Sequence, residues 1–259
     1  MKRFWILFGI FVCFATTPVL ADDDEFDAEN GEVTVDNEDD GCGVIQYEIV
    51  DGADMANVQN FDIAGIMLGM KFEDVQAAVR ENGLYKLRPK NSVVFSIHKD
   101  WKYNLDYECR QNKVYVPSQL EKCINTLARS RGVLYASEMH LERTTTGETI
   151  DVFFTSNATN NVVWKIVYKN DVDELEGDDP KFANQRDKKI MAFWQAVLDK
   201  YGSPNADSDK WVSSDNSYDP MMTAYYGELE IAECGIKSED SVMNIKHAND
   251  NFFAKPYAF

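Results

Sequence analysis

Residues 133–169 read VLYASEMHLERTTTGETIDVFFTSNATNNVVWKIVYK, and this stretch decides the fold. Three runs in it alternate apolar and polar residues with period two, the mark of strands with one buried face. The first, 133–143, alternates through Val133, Tyr135, Met139 and Leu141. The second, 149–155, runs through Ile150, Val152 and Phe154, and the third, 162–169, through Trp164, Ile166 and Tyr168. Thr145-Thr146-Gly147-Glu148 and residues 157–161 supply turns between them. Connections this short join antiparallel neighbours, so the stretch predicts an antiparallel β-meander.

Helices flank it. Residues 72–82 place Phe72, Val75, Ala78 and Val79 on one face, with Glu73 and Asp74 at the positive end of the helix dipole. Gly83 follows as a left-handed cap. Residues 118–131 combine the capping-box spacing of Ser118 and Glu121 with an apolar face of Leu120, Cys123, Ile124, Leu127 and Ala128, stopped by Gly132. Residues 187–201 bury Ile190, Phe193, Trp194, Val197, Leu198 and Tyr201, and Gly202 and Pro204 end that helix. Further strands are expected at 44–47, 92–97 and 222–232, and an acidic loop at 171–179. Residues 235–259 carry no clear period. Helices packed on an antiparallel meander make an α+β protein. The chain has room for two related small modules, 44–180 and 181–259, the second and smaller packed on the first.

Upstream, Lys2 and Arg3 precede an apolar run of 12 residues, Phe4 to Ala15, and then Val19-Leu20-Ala21. That order reads as a signal peptide, residues 1–21, cleaved between Ala21 and Asp22. The run is too short to cross a bilayer, which takes about 20 apolar residues. The mature protein is therefore expected in the periplasm or outside the cell, with no transmembrane segment. Four cysteines remain: Cys42, Cys109, Cys123 and Cys234. An even number in an exported chain suggests two disulfides. Four cysteines allow three connectivities; Cys109–Cys123 is the simplest local pair, and Cys42–Cys234 would then tie the ends of the fold together. Buried free thiols are the alternative.

Charge narrows the partners. The chain carries −18. Loss of Lys2 and Arg3 leaves 24 cations against 44 acids in the mature form, or −20. Between Asp22 and Met70 there are 15 acids and no Lys or Arg. Residues 22–43 are accordingly expected to form a disordered acidic tail. Such a charge disfavours nucleic acid, whose phosphates need cationic neutralisation, and anionic lipid.

The stretch DIAGIMLGM at 62–70, the helix FEDVQAAVRENG that follows, ETIDVFF at 148–154, NNVVWKIVYK at 160–169 and AFWQAVLDKYGSPN at 192–205 together resemble exported bacterial proteins with a GIxLGM opening. That group is similar in pattern to the αα-plus-antiparallel-sheet modules of the outer-membrane assembly lipoprotein BamE (SmpA/OmlA) and of the β-lactamase inhibitor protein. The resemblance implies protein binding rather than catalysis and carries over no functional residue.

Motifs for catalysis are sparse. Ser96-Ile97-His98-Lys99 has the S-x-x-K spacing, but it closes a strand instead of opening a helix. Glu138, His140 and Glu142 alternate on one strand face and could hold a metal, although a solvated polar face has the same pattern. Asp36-Asn37-Glu38-Asp39-Asp40-Gly41 resembles the start of a calcium loop without its closing Glu, and Asp207, Asp209, Asp215 and Asp219 crowd a later loop. No cofactor is expected beyond weak calcium binding at one of these places. Trp101, Tyr103 and Tyr107 beside Lys99 and Lys102, together with Trp211, are the partner-binding candidates if exposed, and core residues if they line a buried strand face. The expectation is a non-catalytic exported protein that binds another envelope or extracellular protein. The alternative is a periplasmic or secreted hydrolase with a carboxylate pair.

Overall fold

The computed structural model describes residues 33–36, 42, 45–170 and 180–253. Residues 1–21, read above as a signal peptide, most of the expected acidic tail, the expected acidic loop 171–179 and residues 254–259 lie outside the described residues. The fold is α+β, as the periodicity predicts.

The meander forms where expected, as β6 (Tyr135–Arg143), β7 (Glu148–Phe154) and β8 (Val163–Lys169). It is the middle of a larger sheet whose order is β1 (Val33–Asp36), β5 (Val93–His98), β6, β7, β8, β11 (Glu228–Ala232), β10 (Met221–Tyr225) and β9 (Lys210–Val212). A two-residue strand, β4 (Lys86–Leu87), also pairs with β6. All neighbours are antiparallel except β1 (Val33–Asp36), which runs parallel to β5. The expectation of a wholly disordered tail is thus corrected at residues 33–36, where the sheet edge offers unpaired backbone groups that a short strand can satisfy. A separate hairpin, β2 (Asp62–Ile63) with β3 (Ile66–Met67), covers the GIxLGM opening.

Residues 222–232, expected as one strand, are a hairpin. β10 (Met221–Tyr225) and β11 (Glu228–Ala232) turn at Tyr226-Gly227. β11 bonds to β8, and β9 (Lys210–Val212) bonds to β10. Strands from both halves of the chain therefore share one sheet. Of the strand expected at 44–47, the described residues 45–47 form none; an isolated bridge joins Ile49 to Ala206.

One sheet face is apolar across six strands. Met139, Val152, Ile166, Ile231, Met222 and Trp211 lie in one row of the register, and Leu141, Ile150, Tyr168, Leu229 and Ala224 in the next. α1 (Phe72–Asn82) and α4 (Pro180–Tyr201) close this core with Val75, Val79, Phe193, Trp194 and Val197. Gly83 has φ 64° and caps α1 as expected.

A second cluster is helical. α2 (Lys99–Gln111) contributes Trp101, Leu105 and Cys109, and α3 (Pro117–Arg131) contributes Leu120, Ile124 and Ala128. α5 (Cys234–Phe253) joins them through Ala248. α3 starts one residue before Ser118, with Pro117 at its first position and no side-chain cap, so the capping box is not formed. The rigid φ of proline suits that first turn. Disulfides join Cys109 to Cys123, between α2 and α3, and Cys42 to Cys234, at the start of α5.

Candidate functional site

The sheet's other face is polar, and its rows follow from the same register. His140, Asp151, Val167, Glu230 and Thr223 form one row. Glu142, Thr149, Lys169, Glu228 and Tyr225 form the next. Opposite charges face each other across strands: Lys169 Nζ lies 2.8 Å from Glu228 and Lys165 Nζ 2.9 Å from Glu230. Cross-strand pairs of this kind support the sheet modestly.

His140 is engaged through both of its ring nitrogens. Its Nδ1 is 2.8 Å from Asp151 Oδ1 and its Nε2 3.2 Å from Glu138 Oε2. Arg88 reaches the same Asp151 oxygen at 3.2 Å. The Asp151 and Glu138 hydrogen bonds raise the imidazole pKa to about 9, against a smaller opposing effect of burial. Burial alone would raise the Asp151 pKa, but the His140 bond and the Arg88 charge outweigh it and hold the carboxyl below its ordinary value. At neutral pH the ring is an imidazolium that donates from both nitrogens.

The groups at the ring are Glu138 and Asp151; Glu142, the third residue of the metal reading, pairs across the strands with Thr149. Among the described residues no group of three or more potential ligands has metal-binding geometry. Asp151 was missed because it lies on the next strand. The signal was there: pairing Arg143 with Glu148 across the turn sets His140 opposite Asp151.

The aromatic candidates do not share a surface. Trp101, 8% exposed, belongs to the helical cluster, and Trp211, 1% exposed, to the sheet core. Both are therefore corrected as exposed anchors. Tyr103 and Tyr107 point outward from α2, and Tyr107 meets the ring of Phe252 edge-on at 5.7 Å. The element is a helix rather than a strand because Trp101, Leu105 and Cys109 repeat every four residues. Ser96 sits in β5, bonded to Ser137, while Lys99 opens α2, so S-x-x-K is not assembled on one helix. Asp207 and Asp209 both turn to Lys210 rather than to a common centre, and Asp219 accepts bonds from Ser214 and Asn216.

The described surface has several clefts. The first, about 570 Å³, lies on the polar sheet face between Lys169, Thr223, Tyr225, Tyr226, Glu228 and Glu230. The second, about 520 Å³, lies between α5, the end of α3 and Trp101. The third, about 870 Å³, is lined by Tyr47, Glu48, Asp207, Asp215 and Tyr218. None of the three brings two acids together with a histidine. The Glu233 carboxyl is pushed up by burial and by nearby Asp219, but neither lines these clefts. Tyr47, Tyr85, Tyr168 and Tyr201 are all shifted upward, chiefly by burial, so none of them is a ready phenolate base.

The first cleft carries the feature that sequence reasoning overlooked. Tyr225 and Tyr226 are 65% and 54% exposed, with ring centroids 5.1 Å apart, at the tip of the β10–β11 hairpin. Tyr226 has φ 50° and Gly227 φ 90°. Two positive φ values suit a two-residue turn of the kind that prefers Asn-Gly. A bulky residue in that region is strained. Gly227 is favoured by its φ of 90°, and a Cβ there would push aside the end of the Asn170 side chain.

Compared with known proteins, the chain matches no family model, no curated protein and no solved structure.

Proposed function

We propose that this chain is an exported, non-catalytic protein that binds another protein of the envelope or extracellular space, and that the β10–β11 tyrosine tip is its anchor. The observation that carries the reading is Tyr226, an exposed aromatic held in a left-handed turn beside a second exposed tyrosine. Strain of this sort persists where the surrounding structure enforces it, and it clusters at functional positions. Tyrosines bury large areas on binding at low entropic cost and dominate many interfaces. The pairing of Cys42 with Cys234 and of Cys109 with Cys123 supports an oxidising compartment. The resemblance to BamE-like modules points the same way.

The test is a photo-crosslinking amino acid placed at position 225, at 226, or at the equally exposed control position 103, in cells that produce the protein naturally. One discrete adduct from 225 and 226, and none from 103, is expected. Equal labelling from all three positions, or no adduct at all, counts against the assignment.

A further inference from the structure

α5 is turned inside out. An ordinary surface helix buries its apolar stripe. Here Asp240 and Asn244 are buried, while Val242 and Ile245 are 62% and 37% exposed. The buried stripe continues to Ala248, while His247 beside it is exposed and Asn251, one turn on, is half-buried.

Half of that stripe has a structural purpose. Asp240 accepts from Ser156 N at 3.0 Å, Ser156 Oγ at 2.6 Å and Thr159 Oγ1 at 2.6 Å. Asn244 Nδ2 donates to Ser156 Oγ at 2.6 Å and to Asp240 O at 2.9 Å. These bonds fasten α5 to the short 3-10 turn Asn157–Thr159. His247 and Asn251 take no part in them. They line the cleft of about 520 Å³ where the stripe leaves the packed interior, facing Trp101 and Arg131.

The lining selects a ligand class. No carboxylate lines the cleft, which disfavours a cation. Arg131 is already paired with Glu108, which removes the main attraction for an anion. The amide of Asn251 both donates and accepts, the ring nitrogens of His247 offer further hydrogen bonds, and Trp101 adds an apolar wall. The volume is that of a small-molecule site. We infer that the cleft between α5 and the end of α3 binds a neutral sugar, as a free saccharide or the end of a glycan. This is independent of the tyrosine tip.

Ligand-observed saturation-transfer NMR on the mature protein tests it. The probes are glucose, galactose, N-acetylglucosamine and the β-1,4 disaccharides of glucose and of N-acetylglucosamine. Saturation transfer to at least one sugar is expected, with affinity about tenfold lower in His247→Ala and in Asn251→Ala and an unchanged unfolding midpoint. A disaccharide preferred over its monosaccharide identifies a glycan end, and equal binding identifies a free sugar; both sustain the proposal. Transfer to none of the five, transfer unaltered in both variants, or stronger binding of adenosine or succinate overturns it.

Discussion

His140 shows what a single position contributes. Its ring lies between Glu138 and Asp151, and its pKa is raised to about 9 from 6.5. That rise corresponds to roughly 3 kcal/mol of preference for the charged ring. Because the folded value lies above the unfolded one, the stabilisation is complete below about pH 6.5 and is lost as pH rises through about 9. Asp151 behaves oppositely: its pKa is lowered, so its share is present above the unfolded value and is lost as pH falls through the lowered one. His140→Gln is expected to lose about 2 kcal/mol at pH 6. The deficit should shrink towards zero by about pH 10, as read from urea unfolding at the two pH values. A deficit equal at both would show that the ring acts by packing alone. Half of this cluster was legible: the alternation of β6 placed Glu138 beside His140, while Asp151 required the register of the neighbouring strand.

At the scale of elements, the hairpin and α5 resisted reading for one reason. Sequence patterns are informative when local preference and tertiary packing agree. Asn or Asp at position 226 would have announced the β10–β11 turn; Tyr226 hid it. Tyr226→Asn restores the favoured Asn-Gly pair and is expected to raise stability by about 1 kcal/mol. It should weaken partner capture at the same time, an outcome that thermal unfolding and crosslinking from position 225 would read together. A destabilised variant would mean that the tyrosine is held by packing rather than strained. α5 lacked a readable period because the side it buries is polar. By contrast, α1 and the meander bury apolar faces and follow their periods to within a residue or two.

For the whole molecule, the two disulfides act on different distances. Cys109–Cys123 closes a loop with a sequence separation of 14, and Cys42–Cys234 one of 192. Chain-entropy arguments assign about 3 kcal/mol to the first and about 5 kcal/mol to the second. The double variant Cys42→Ala/Cys234→Ala should therefore unfold at lower urea concentration than Cys109→Ala/Cys123→Ala. The reverse order would place the second bridge on a segment that contributes little to cooperative folding. The mass of the non-reduced mature protein should match a chain starting at Asp22 and carrying both bonds; four free thiols or a retained leader would contradict the export reading.

The sequence by itself determined the α+β class, the central meander and the helix at 72–82, because these depend on periodic burial that neighbouring residues encode. It also supplied the acidic balance and the even set of cysteines. Only the tertiary structure decided which cysteines pair, that both halves share one sheet through β8 and β11, that Trp101 and Trp211 lie in separate cores, and that α5 buries its polar side. Those are contacts between residues distant in the chain. Their partners are set by packing and strand register, which no local pattern records.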